Sequence, residues 1–183
     1  MLFVIVGPSG SGKSTFIRLV LESIKTAKVI SVDVCTPFSR LYEQSFGRTH
    51  IDSDSFKQKL RNAEYSIINT YDSNNYGYNI PTECNEKESV FLLDYPGDYP
   101  ECSELQKYIW KGILILPPSE EILEQRLIKC SRESRISSAV EEYKECLEDI
   151  KNHKLENWLV INNSRNDDLI KGIKWIKDEI NGG

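Results

Sequence analysis

The sequence has no apolar run near the ~18 residues that a membrane-crossing helix needs, so no membrane span is expected. Its apolar start, Met1-Leu2-Phe3-Val4-Ile5-Val6, lacks a basic flank and runs directly into Gly7, so no secretory leader is expected either. Histidine is scarce, with two residues, and no C-x-x-C occurs. The five cysteines, Cys35, Cys84, Cys102, Cys130 and Cys146, are odd in number and widely spaced. That excludes a zinc knuckle or a disulfide framework as the organising device, fits a reducing cytoplasm, and leaves the thiols as core or incidental groups. There is no low-complexity tract and no internal repeat with a period of about 20–50 residues. An excess of positive charge is also missing. The count of 23 Lys and Arg against 28 Asp and Glu gives a net charge of −5. Such a balance argues against a protein that coats nucleic acid, although a local basic groove stays open. What is present is 183 residues with 39% hydrophobic, 28% charged and 10% aromatic side chains, enough for one folded domain.

Short apolar strands alternate with helical periodicity. Strand-like runs are expected at Leu2–Val6, Val29–Val34, Tyr65–Tyr71, Val90–Leu93, Gly112–Leu116 and Trp158–Ile161. Helical patterns are expected over Thr15–Lys25, Asp52–Asn62, a stretch ending near Trp110, a helix capped by Ser119, Ala139–Ile150, and a final helix carrying Leu169, Ile170, Ile173, Ile176 and Ile180. This order predicts an α/β fold, a three-layer α/β/α arrangement around a mostly parallel sheet. Ligands in such sheets bind beyond the carboxyl ends of the strands. Gly7, Asp33 and Asp94 are each expected there.

Gly7-Pro8-Ser9-Gly10-Ser11-Gly12-Lys13-Ser14, followed by Thr15, satisfies the P-loop pattern G-x-x-x-x-G-K-S/T. Its glycines let the backbone turn N–H groups onto phosphates, and the following helix adds the positive end of its dipole. Lys13 is expected to reach the β- and γ-phosphates of ATP and Ser14 to hold Mg²⁺. Asp94, at the end of Val90-Phe91-Leu92-Leu93, is the expected second carboxylate on the metal side. Asp94-Tyr95-Pro96-Gly97 also reads D-x-x-G, as in GTPases. Val160-Ile161-Asn162-Asn163-Ser164-Arg165-Asn166-Asp167 offers no lysine for a guanine-reading N-K-x-D, which counts against a GTPase.

Taken together, the chain resembles the guanylate kinase family. The P-loop matches almost letter for letter. Asn75-Tyr76-Gly77 resembles the N-Y-Y-G acceptor element, Val90–Asp94 the V-L-L-D strand, and Ile113-Leu114-Ile115-Leu116-Pro117-Pro118-Ser119 with Arg126-Leu127 the I-F-I-L-P-P-S and R-L run. Val160-Ile161-Asn162-Asn163 resembles the V-V-N-D strand end. The resemblance implies a single P-loop kinase domain over 1–183: a core of 1–34 and 90–183, an acceptor-binding insertion at about 35–89, and a mobile lid at about 129–137. It implies ATP and Mg²⁺. Arg126 is implied to contact donor phosphates. The second lid arginine of the family falls near Cys130 and a third finds no arginine, so Arg132 and Arg135 are the candidates to replace them.

The likeness thins in the acceptor region. Where the family reads S-x-S-x-T-T-R-x-P-R, this chain has Ser31-Val32-Asp33-Val34-Cys35-Thr36-Pro37-Phe38-Ser39-Arg40. Asp33 replaces a serine, Pro37 an arginine, and Arg40 survives. The two guanine-reading carboxylates align near Ile67 and Pro96; Tyr76 survives, and Tyr78 follows it. An added carboxylate is unfavourable beside an acceptor phosphate, since two like charges ~4 Å apart repel by roughly 4 kcal/mol at an effective dielectric of 20. An acceptor hydroxyl needs such a carboxylate to take or orient its proton. Polynucleotide 5′-hydroxyl kinases and shikimate-type kinases look similar at this point.

The expectation is therefore an ATP-dependent kinase acting on a nucleoside- or nucleotide-type hydroxyl, including a hydroxymethylated pyrimidine in DNA. Asp33 is its expected base, with Arg40, Tyr76 and Tyr78 in the acceptor site. The alternative is a divergent nucleoside monophosphate kinase of the GMP/dGMP kind. The third reading is a non-catalytic guanylate-kinase-like module, which an intact P-loop argues against.

Overall fold

The computed structural model describes residues 1–36, 47–86, 89–96, 105–152, 154–155 and 158–182. Strand β1 (Leu2–Val6) is buried along its whole length, as a central parallel strand must be. Alternation divides it between two cores. Phe3 and Ile5 pack with Phe16 and Val20 of α1 (Lys13–Ser23) and with Ile173 and Ile176 of α5 (Asn166–Ile180). Leu2, Val4 and Val6 face the opposite cluster.

Five parallel strands form the core sheet in the order β2 (Ala27–Val29), β7 (Val90–Asp94), β1, β8 (Trp110–Leu116), β9 (Trp158–Asn162). In this register Ile5 lies beside Asp94, so Gly7 and Asp94 emerge together at the carboxyl edge.

A second, four-stranded sheet runs β4 (Arg48–His50), β3 (Val32–Cys35), β6 (Asn74–Tyr78), β5 (Ile67–Tyr71). The β5–β6 hairpin turns through Asp72 and Ser73, both at positive φ (48° and 60°), the signature of a two-residue primed turn. Helix α2 (Ser53–Arg61) lies across this sheet, capped by Asp52, whose carboxylate accepts from the Asp54 and Ser55 N–H groups at 2.9 Å. Helix α3 (Glu120–Lys129), capped by Ser119, packs on α4 (Ile136–Lys151) through Leu123, Leu127 and Ala139. A single 3₁₀ turn, Glu133–Arg135, joins the two helices.

The expected strand Val29–Val34 is two strands in two sheets. The Ile30 N–H still bonds Leu92 O in the core sheet at 2.8 Å, but the Val32 N–H turns to Gly47 O at 2.8 Å. Exposed Ser31 at the break reads as an ordinary outward position of one alternating strand, because Ile30 and Val32 on either side are both buried. The α/β fold with helices around a mostly parallel sheet is as expected. One face of the core sheet carries α1 and α5, while the other is shared by the four-stranded sheet and by α4, through Tyr143 and Ile150. Among the described residues, no helix is long and apolar enough to cross a membrane.

Candidate active site

The phosphate loop leaves β1 at Gly7 and enters α1 at Lys13. Its geometry needs glycine at two points. Gly7 sits at φ 138°, where an added Cβ would lie 2.1 Å from Ile115 O, and Gly12 at φ 113°, where one would lie 2.1 Å from Asn163 Nδ2. The Asn163 amide donates to Ser11 O at 2.7 Å, and the Arg126 guanidinium spans Ser11 O (3.2 Å) and Asn163 O (2.8 Å). Arg126 therefore clamps the loop to the end of β9 while lining the cleft. Lys13 is partly buried and donates to the Gly7 and Pro8 carbonyls. Burial lowers its pKa, with Asp94 the largest opposing influence. Ser9, Gly10, Ser14 and Thr15 also line the cleft, whereas Pro8 and Ser11 hold the loop from behind through their backbones.

The cleft measures about 530 Å³ and runs from this loop to the four-stranded sheet. Its floor is Asp94. One carboxylate oxygen, Oδ2, takes the Arg48 guanidinium at 2.7 Å, while Oδ1 is buried without a hydrogen-bond partner. Arg48 comes from β4, paired in register with Val32, which in turn pairs with Tyr78. Directly paired residues share a face, so Arg48 points inward with these buried neighbours. Burial opposes its charge, but the Asp94 carboxylate outweighs burial and leaves its pKa raised. Nothing in the sequence singles out Arg48; one arginine in a three-residue strand has no motif, and its partner lies 46 positions away.

Tyr76 lines the cleft beside Arg48. Tyr78 does not. It is 1% exposed, stacks on Tyr95 with ring centroids 5.7 Å apart, and its hydroxyl donates to the Asp94 carbonyl at 3.3 Å. Its expected contact with an acceptor is therefore corrected to support from beneath the floor. Arg132 and Arg135 line the opposite wall, and Arg135 reaches Asp72 at the β5–β6 turn at 3.8 Å. Arg40 lies outside the described residues. Ile67 is buried in the core, and the Pro96 carbonyl accepts the Asn69 amide at 2.8 Å, so neither aligned position supplies a carboxylate.

Asp33 is the main correction. Val32 and Val34 are each 4% exposed and face the core, so strand alternation turns Asp33 to the other side of β3. There its carboxylate takes the Lys59 ammonium at 2.6 Å and the Tyr65 hydroxyl at 2.9 Å, outside the cleft. Lys59 comes from α2, which covers this outer face. Lys59 thus lies on this outer face, apart from Arg132 and Arg135 in the cleft. Burial and Asp33 both push the Tyr65 phenol well above its ordinary value, so it stays a donor.

The thiols organise nothing here. Among the described residues Cys35, Cys84 and Cys130 are free thiols, and Cys84 is fully buried with its pKa pushed up to about 11 by that burial. Cys102 lies outside the described residues. Among the described residues no cluster of three or more His, Cys, Asp or Glu side chains forms a metal cage.

A glycine cradle around a partly buried lysine, at the carboxyl edge of a parallel sheet with an acidic residue on the adjacent strand, defines a P-loop nucleotide-binding protein. The family model described as guanylate kinase matches residues 1–179. A guanylate kinase of Vibrio cholerae serotype O1 is 33% identical over 132 residues, covering 69% of this chain and 63% of that one. One from Clostridium perfringens (strain SM101 / Type A) is 29% identical over 181 residues, covering 96% and 82%. The crystal structure of guanylate kinase from Anaplasma phagocytophilum matches the fold with a TM-score of 0.64 at 18% identity, over 99% of this chain and 84% of that chain. The chain belongs to the guanylate kinase family, a family of ATP-dependent phosphotransferases.

These relatives overturn the expected hydroxyl acceptor, because they are named for guanylate phosphorylation. The DNA version falls with it. Asp33→Asn is accordingly expected to keep kcat within about threefold of the parent, where loss of an acid–base group costs ~100-fold or more. Lys59 is 39% exposed, so its ion pair contributes about 1 kcal/mol of stability at most. Steady-state kinetics and thermal melts on this variant check both values.

Proposed function

We propose that the protein is a nucleoside monophosphate kinase, moving the γ-phosphoryl group of ATP to the phosphate of a guanylate-type nucleotide. The observation that carries this reading is Arg48. A guanidinium on the acceptor wall, facing the phosphate loop across the cleft, suits a phosphate and has no use for a neutral hydroxyl. The acceptor oxygen is already anionic and needs no base, which agrees with the absence of Asp33 from the cleft.

In this reading the N–H groups of the loop and Lys13 hold the β- and γ-phosphates of ATP. Arg126 fixes the loop, and Arg132 and Arg135 approach the transferring group from the lid side. Arg48 and Tyr76 hold the acceptor phosphate, joined by Arg40 as the family resemblance implies. An acceptor oxygen bonds to the γ-phosphorus as its bond to the β–γ bridging oxygen breaks, so ADP and a nucleoside diphosphate leave. The Ser14 hydroxyl and the unpartnered Asp94 Oδ1 are a fitting donor set for magnesium, which would offset charge on the β- and γ-oxygens. A cytoplasmic setting fits the odd number and wide spacing of the cysteines and the nucleotide substrates.

The test is a panel of GMP, dGMP, AMP, CMP, UMP and TMP with ATP and Mg²⁺, followed by separation of the products. GMP or dGMP is expected to become the diphosphate with one ADP formed per turnover. Because neither guanine-reading carboxylate is present, discrimination against AMP is expected to fall below the 10⁴–10⁵ that a hydrogen-bonding site reaches. Failure of every monophosphate to accept phosphate would sink the proposal.

A further inference from the structure

Glu142 is a cleft carboxylate that the reaction above does not use. It stands in the second turn of α4 and lines the cleft together with the phosphate loop. Its Oε1 is buried and has no hydrogen-bond partner. Burial raises its pKa, while Lys13 and the Ser9 backbone N–H both favour the ionised form. Lys13 gains in turn, since Glu142 offsets part of the burial that lowers its own pKa.

A phosphate loop is a preformed anion site: inward N–H groups, a helix N-terminus and an ammonium. Lys13 donates to two backbone carbonyls, and Glu142 lines the same cleft as Lys13 and Ser9, where the lysine charge and the Ser9 N–H favour its ionised form. The phosphates of ATP need those groups too. Two anions competing for one ammonium and one set of amides cannot both be held at full strength.

We propose that Glu142 is a built-in counter-anion of the phosphate loop, held against it when no nucleotide is bound and displaced by the triphosphate of ATP. The carboxylate travels on α4, whose first turn follows Arg135, the residue that reaches Asp72 across the cleft. Displacing Glu142 therefore shifts the helix that carries the lid, so donor binding and lid position are one event. The inference rests on the reading of the loop as an ATP site but not on the identity of the acceptor.

The test is calorimetric titration of the full chain with ATP, once in EDTA and once in excess Mg²⁺, for the parent, Glu142→Gln and Glu142→Asp. Removing the charge in Glu142→Gln is expected to tighten ATP binding by about tenfold or more under both conditions. Glu142→Asp, one methylene shorter, is expected to tighten it by a smaller factor, and it keeps the test alive should the glutamine variant fold poorly. Unchanged affinity overturns the inference. Weaker binding confined to the Mg²⁺ titration also overturns it, by making Glu142 a support for the metal. If neither parent nor variants bind ATP, the proposed function fails as well, a result distinct from equal, measurable affinities.

Discussion

Arg48→Met is expected to raise KM for the acceptor nucleotide by about 100-fold and to lower the melting temperature by about 6–12 °C. The first effect follows from losing about two charge-assisted hydrogen bonds to a phosphate, each contributing roughly 1.5 kcal/mol after desolvation. The second follows from Asp94. With side chains only 18% and 15% exposed, the Arg48–Asp94 pair is close to a buried one. Removing one partner of such a pair costs about 3 kcal/mol, because an uncompensated charge stays behind. A domain of this size loses about 2–4 °C for each kcal/mol. Arg48→Lys keeps the charge but not the planar fork, so it is expected to recover about tenfold of the lost KM. KM for ATP should move little in either variant. A large rise in KM for ATP with the acceptor KM unchanged would assign Arg48 to the donor side and refute its proposed role.

Lys13→Met is expected to reduce the single-turnover rate by about 10³-fold or more, the scale of losing a charge aimed at the reacting group. It is also expected to make the protein more stable at neutral pH. Burial lowers the Lys13 pKa from 10.5 in the folded chain, so the unfolded state holds the proton more tightly. Stability in the parent then rises with pH between the lowered folded value and 10.5, because over that window the unfolded chain binds more protons. Methionine removes the partly buried ammonium and with it this rise. Thermal melts at pH 7 and pH 10 check the sign: the gap between parent and variant should be wide at pH 7 and narrow at pH 10. A parent more stable than the variant at pH 7 would show that the lysine supports the loop instead of straining it.

Local chemistry was legible in the sequence and distant partnership was not. The phosphate loop could be read because eight consecutive positions, Gly7 to Ser14, carry the requirement themselves: glycine for positive φ, lysine for charge, serine for an oxygen. The ends of the α-helices were nearly as clear where a side chain caps them, as at Asp52 and Ser119. The break between β2 and β3 could not be read, because Ile30 and Val32 are equally apolar and only their hydrogen-bond partners differ. That one missed break carried Asp33 from the outer face of a second sheet to an imagined place beside the phosphates. Arg48 and Glu142 were invisible for a related reason. Each looks like an ordinary surface charge in its own segment, Arg48 in a short polar strand and Glu142 in the acidic run of α4. Their roles come from groups contributed by other parts of the chain, Asp94 and Lys13.

Asp94 belongs to the core sheet, yet the side chain that holds it belongs to the other sheet, and Tyr78 of that sheet supports it from below. In the proposed function the two halves of the reaction share a single ion pair. A ligand that draws on the Asp94 carboxylate changes the guanidinium presented to the other ligand. Thermodynamic linkage makes that influence mutual: whatever factor donor binding applies to acceptor affinity, acceptor binding returns to the donor. Ordered or cooperative substrate binding would then originate in one 2.7 Å contact, with no second conformation of the whole protein required.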